Sequence, residues 1–172
     1  MRRLIALVIC SLRLLPHLGA AETGQATITA TTEHSQLSGD VKLMDTPHGL
    51  HIVVNIRNAP PGLHGFHIHE FGSCADEGAA AGSHYNPKGV AHGHLATDGF
   101  DKAHAGDFGN LPVAPDGTST LELIMPGLTL SGRPHAVAGR AVILHANPDD
   151  FSQPTGNAGG RIGCGPILIT GE

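Results

Sequence analysis

Histidines 67 and 69 sit in the alternating run Gly65-Phe66-His67-Ile68-His69-Glu70. Side chains at i and i+2 leave the same face of a β-strand, with Cα atoms roughly 6.6 Å apart at about 3.3 Å per residue. The run therefore predicts a strand whose one face presents two imidazoles, close enough to converge on one metal ion. Downstream, His84, His92, His104 and Asp107 lie in Gly-rich sequence, and His145 closes the apolar run Ala141-Val142-Ile143-Leu144. These six histidines and one carboxylate are enough for two metal sites, in a chain with little else that could do chemistry.

The chain holds 13 histidines, and a single one on a strand is more often hydrogen-bonded or solvated than a ligand. The loop histidines change that balance. His84-Tyr85-Asn86-Pro87 and His104-Ala105-Gly106-Asp107 have no apolar period that would place them in a core. Such a loop has no hydrophobic reason to be ordered, and a metal supplies one. Three His and one Asp suit a closed tetrahedral zinc site. Three or four imidazoles suit a copper ion that passes between Cu(II) and Cu(I). Seven ligand positions are one short of two four-ligand sites, so one histidine could serve both, through its two ring nitrogens.

Strand-like runs occur at 26–32, 39–44, 50–57, 63–70, 118–125, 140–145 and 162–170. Turn signals separate them, among them Asp45-Thr46-Pro47, Ala59-Pro60-Pro61-Gly62, Pro115-Asp116-Gly117 and Pro126-Gly127. Alternation in 50–57 is partly broken, so the strand is predicted without its inward face. Twenty-four glycines and 12 prolines fit short strands with tight turns, and no long window has helical period. The pattern indicates one all-β domain, a β-sandwich or barrel, without repeats or low-complexity linkers. Segments 72–107 and 146–161 are long and irregular, as functional loops usually are.

Arg2-Arg3, the apolar stretch 4–12 and the small residues Gly19-Ala20-Ala21 form a secretory signal pattern over 1–21, too short for a transmembrane helix. The domain is then 22–172. Cys10 leaves with the signal, and two cysteines remain, the number one bridge needs. Export agrees with a disulfide. No basic run points to nucleic acid or a membrane surface.

Four stretches carry a resemblance: Leu63-His64-Gly65-Phe66-His67-Ile68-His69-Glu70-Phe71-Gly72, Ala81-Gly82-Ser83-His84-Tyr85-Asn86-Pro87, His104-Ala105-Gly106-Asp107-Phe108-Gly109-Asn110 and Gly156-Asn157-Ala158-Gly159-Gly160-Arg161-Ile162-Gly163-Cys164-Gly165. In order and spacing they resemble the copper/zinc superoxide dismutase family, nearest to the secreted, periplasmic bacterial type, from about Gln25 to the C-terminus. The resemblance implies an immunoglobulin-like Greek-key β-sandwich or flattened barrel of about eight antiparallel strands with two long functional loops. It implies copper held by His67, His69, His84 and His145, and zinc held by His84, His92, His104 and Asp107, with His84 as the bridge. His94 is a near competitor of His92. Arg161 would guide the substrate superoxide, Asp149 would link a copper histidine to a zinc histidine, and Cys74 and Cys164 would form a disulfide. A homodimer is the assembly the resemblance allows.

The chain departs from the family pattern at several points. The segment before Cys74 and the segment 146–160 are shorter than in the cytosolic eukaryotic type, and the latter lacks that type's Glu and Lys residues. The long insertion often seen after the first disulfide cysteine of the bacterial type is absent. Pro166 removes an amide from the last strand. The rival reading from another class is a secreted copper or zinc storage or delivery protein, which would need neither a guiding arginine nor a bridging histidine.

Overall fold

Alternation in sequence becomes inside and outside in space. In a computed structural model describing residues 21–171, nine strands form: β1 (Thr23–Ala30), β2 (Ser38–Thr46), β3 (Gly49–Arg57), β4 (Gly62–His69), β5 (Asp107–Val113), β6 (Ser119–Met125), β7 (Ala141–His145), β8 (Arg161–Pro166) and β9 (Leu168–Gly171). The predicted signal peptide, apart from Ala21, lies outside the described residues. β3 buries Leu50, Ile52, Val54 and Ile56 and leaves His51, Val53 and Asn55 half-buried, which fixes the inward face its sequence left open. Val41 and Leu43 of β2 and Ala26 and Ile28 of β1 meet the same core.

The strand order is β5-β4-β7-β8-β1-β2-β3-β6, with antiparallel pairings throughout and β9 also paired to β1. The two end strands, β5 and β6, are consecutive in the chain. Ala114 N donates to Thr118 O at 2.8 Å and Ser119 Oγ donates to Pro112 O at 2.6 Å, so the ends of the sheet meet and the barrel is nearly closed. The expected Greek-key barrel of about eight strands is what forms.

Two elements differ in detail. β5 was not among the predicted strands: Gly109 and Pro112 interrupt its apolar run, and pairing with β4 makes it a strand. The predicted run 162–170 divides into β8 and β9. Pro166 has no N–H, and the buried Ile167 turns aside, donating its N–H to Arg140 O at 2.8 Å and accepting from Gly139 N at 2.9 Å.

β7 is buried on both faces. Val142 and Leu144 point into the barrel. Ala141 and Ile143 point out, yet they are covered by Ala81 and the half-buried Cys74 together with Cys164. The Cys74–Cys164 disulfide joins the 72–107 loop to β8, with Cα atoms 5.8 Å apart. The outer face of β4, β7 and β8 is thus roofed by loop, and the histidines lie beneath that roof.

Candidate metal centre

On β4 the even positions Phe66 and Ile68 enter the barrel core, so His67 and His69 must point outward. His145 ends β7 on the same side, where register shifts beside Leu144. Bulges of this kind re-aim side chains at strand ends. His84 docks on β4 through an isolated bridge to His69, with Tyr85 N donating to Ile68 O at 2.8 Å and Glu70 N donating to Ser83 O at 3.0 Å. Asp107 opens β5, opposite His67.

The seven residues converge as two buried groups. His67, His69, His84 and His145 form one; His84, His92, His104 and Asp107 form the other. Within each group the potential ligand atoms all lie within 4.8 Å of one another. His84 alone belongs to both. Its Nδ1 lies 2.8 Å from Asp107 Oδ1, which leaves Nε2 for the other group. His94 joins neither: its Nδ1 is 2.7 Å from Thr97 Oγ1 and its ring packs edge-on against Phe151.

Hydrogen bonds decide which ring nitrogen is free. His69 Nδ1 donates to Gly82 O at 3.0 Å and His145 Nδ1 donates to Gly159 O at 3.2 Å. Their Nε2 atoms, left as lone pairs, face each other at 3.3 Å. Asp149 takes the opposite nitrogen of two other rings, with His67 Nε2 at 2.8 Å and His92 Nε2 at 3.0 Å. The Nδ1 atoms of His67 and His92 are buried and make no hydrogen bond. His92 Nδ1 lies 2.9 Å from Asp107 Oδ2, but outside hydrogen-bond geometry. A buried polar atom without a partner costs about 1–3 kcal/mol. Orphans in both groups and facing lone pairs are the arrangement that bound cations would satisfy, and the donors are those copper and zinc prefer.

Electrostatics prepares the same state. Burial pushes His69 down to about 2, His145 to about 3 and His84 to about 4, aided for each by neighbouring histidines. These rings are neutral at ordinary pH, as ligands must be. His92 goes the other way: burial would lower it, but Asp107 and Asp149 outweigh that and raise it to about 9. Burial opposes ionisation of Asp107 and Asp149 too. Hydrogen bonds from the surrounding histidines, and from backbone N–H groups, nevertheless hold both well below the usual carboxylate range.

A pocket of about 390 Å³ opens onto the first group, lined by His69, His84 and His145 and, across from them, Thr155, Asn157 and Arg161. The Arg161 guanidinium donates to the Gly78 and Gly82 carbonyls and remains part of the lining. Arg161 thus ties two loop carbonyls together while adding positive charge to the pocket wall.

Three contributors carry no ligand signature in the sequence. Gly156 has φ +73°, and a Cβ there would stand 1.8 Å from Asp149 Oδ1 and 2.7 Å from His92 Nε2. His64 is buried with its two ring nitrogens each 2.8 Å from a carbonyl, His145 O and Pro60 O. Gln153 pairs with the backbone of His92. His64 and Gly156 lie within the stretches that resemble the family; nothing in the sequence marks Gln153.

The family model for copper/zinc superoxide dismutase matches residues 22–167, and the chain belongs to that family. It is similar to a solved structure, that of the clock protein EA4, with 34% identity and a TM-score of 0.77 over 91% of this chain and 100% of that one. The family binds copper and zinc, the cofactors that the two groups fit.

Proposed function

We propose that this chain is a superoxide dismutase. The observation that carries the reading is that one histidine, His84, belongs to both four-ligand groups, beside a pocket walled by Arg161. His67 through Nδ1, with His69, His84 and His145 through Nε2, would hold copper. His84, His92 and His104 through Nδ1, with Asp107, would hold zinc. Copper, when bound, supplies one-electron exchange with two successive superoxide ions, so that two superoxide and two protons give dioxygen and hydrogen peroxide.

The residues do the rest. Asp149 fixes the ring orientation of one ligand from each group through a single carboxylate, and such outer partners tune affinity and tautomer. His84 Nδ1 is committed to Asp107 in the second group, so Nε2 is the atom left to take and return a proton. Arg161 draws the anion toward the pocket and is fixed there by two loop carbonyls. The substrate is small, so the pocket needs charge and access more than shape.

Export through the 1–21 signal, to a bacterial periplasm, is the localisation we infer, with the Cys74–Cys164 bond as support. No described helix is long and apolar enough to cross a membrane. A homodimer is one assembly the family resemblance allows, a monomer the other, and sedimentation distinguishes them directly.

The second reading, metal storage or delivery without turnover, is favoured by one fact: a solved structure at 34% identity is named for a clock protein, with no activity in its name. Metal analysis with a superoxide-decay assay separates the two. The expected result is one copper and one zinc per chain with rapid decay, and in His84→Ala sharply reduced decay with a changed copper spectrum. Bound metal without decay in the parent chain establishes storage; full decay and an unchanged spectrum in His84→Ala removes the bridge.

A further inference from the structure

His92 lies in the irregular stretch before the short helix α1 (Leu95–Asp98), outside any strand. Its backbone N–H and C=O nevertheless need partners. Both are supplied by one side chain from the other loop: Gln153 Oε1 accepts the His92 N–H at 3.0 Å, and Gln153 Nε2 donates to His92 O at 2.8 Å. The pairing fixes the amide's orientation, because reversal would set donor against donor and acceptor against acceptor. Asp149, from the same loop, holds His92 Nε2, and Phe151 stacks on the His92 ring at 6.4 Å and 17°. Backbone, ring edge and ring face of this one residue are thus all gripped by 149–153.

A second pocket lies on this side. It is lined by Glu70, His84, His104, Gln153, Pro154 and Thr155 and opens onto the second group. Ser83, His84 and Thr155 line both pockets, so the 153–155 turn stands between two separate mouths.

We propose that Gln153 is a positioning residue for the second group. It latches His92 in place and holds the 153–155 turn at the mouth of the second group, so that its loss would speed exchange of zinc, when bound there, but not of copper. This rests on the reading of His92 as a zinc ligand. Outer partners of metal ligands typically change affinity about 10–100-fold; for two neutral hydrogen bonds at a part-exposed position the low end applies.

The test uses the exported chain loaded with copper and zinc, following zinc transfer to a chromophoric chelator, and in parallel the visible absorption of cobalt(II) placed in the second group. Gln153→Ala is expected to release zinc about tenfold faster and to shift the cobalt bands, with the copper resonance spectrum and the disulfide unchanged. Gln153→Glu keeps the shape but sets an acceptor against His92 O, so it should also release zinc faster; it serves if the alanine variant folds poorly. Asn157→Ala removes bonds to Asp150 and Ser152 inside the same loop without touching His92, and should change zinc release far less. Zinc release within about twofold of the parent in both Gln153 variants overturns the latch, as does equal acceleration by Asn157→Ala, which would mean loop order alone matters. If His92→Ala leaves zinc release at the parent rate, the ligand assignment itself has failed, and the latch falls with it.

Discussion

His67 and His92 end with one ring nitrogen on Asp149 and the other without a hydrogen bond, that of His92 lying 2.9 Å from Asp107 Oδ2 but out of line with it, while His69 and His145 direct lone pairs at each other. Folding without metal therefore works against these rings, and pH measures by how much. Burial first, then neighbouring histidines, lowers His69, His145 and His84 from 6.5 to about 2, 3 and 4. Between those values and 6.5 the unfolded chain binds protons that the folded chain refuses, so stability rises with pH across that window. The contribution is present above 6.5 and is lost as pH falls below it. His92, raised to about 9 by Asp107 and Asp149 against burial, has the opposite sign. Its contribution is full below 6.5 and is lost as pH climbs toward 9. In the metal-stripped chain, Tm should peak near neutrality, fall steeply from about pH 6.5 to 4.5 and sag gently toward pH 9. A Tm that holds or rises on acidification in that range would contradict the buried neutral rings. At this scale the sequence was most legible. Spacing alone put His67 and His69 on one face, the count of ligands allowed a shared ring, and the family resemblance named it as His84. What it could not show was which nitrogen each ring offers, because carbonyls such as Gly82 O and Gly159 O arrive from distant segments.

Elements were legible where apolar residues alternate, as in β2 and β6, or run unbroken, as in β7, and illegible where pairing overrides composition. β5 carries Gly109 and Pro112, poor strand residues, yet it opposes β4 and places Asp107 across from His67. The Cys74–Cys164 bridge was expected from the family resemblance, but the roof it makes over β7 was not, since the packing joins segments 90 residues apart in sequence. That bridge carries the element-scale prediction. Cross-linking a loop of this length restricts the unfolded chain, a contribution of about 3–5 kcal/mol on chain-entropy arguments, which depend on the model used. Here it also pins Ala81 and Cys74 over Ala141 and Ile143, and so steadies the loop that delivers His84. Cys74→Ser paired with Cys164→Ser should lower unfolding stability by about that amount and weaken metal retention. Intact mass of the exported parent chain should show no free thiol; two free thiols in active protein would remove the bridge from the account.

At the scale of the whole molecule the problem is charge. From Glu22 onward the chain has seven Lys and Arg against 15 Asp and Glu, a net of −8 with neutral histidines and before metals. The substrate proposed for this chain is also negative and would be repelled by that field, so efficient capture needs a local positive region. Focusing in clefts raises on-rates by about 10–10³-fold, an effect for which superoxide dismutase is itself a known example. Arg161 is the one basic residue from Ala146 to the C-terminus, and it lines the pocket over His69 and His145. Two of its donors are spent on the Gly78 and Gly82 carbonyls, so removing it costs an anchor as well as a charge. The variants must separate the two. Arg161→Ile should lower the second-order rate substantially, and Arg161→Glu further. Arg161→Lys restores charge without the forked donor pair, and should recover much of the rate while leaving any loss of loop stability in place. Copper content is measured in each, so that rates are compared per occupied site. The parent rate should fall with added salt, because exposed charge interactions are screened over about 8–10 Å near physiological ionic strength, and the fall should be weaker in Arg161→Ile. Parent-like rates in the isoleucine and glutamate variants at full copper occupancy would reduce Arg161 to its two carbonyl bonds, and leave the molecule's negative field without an answer at this pocket.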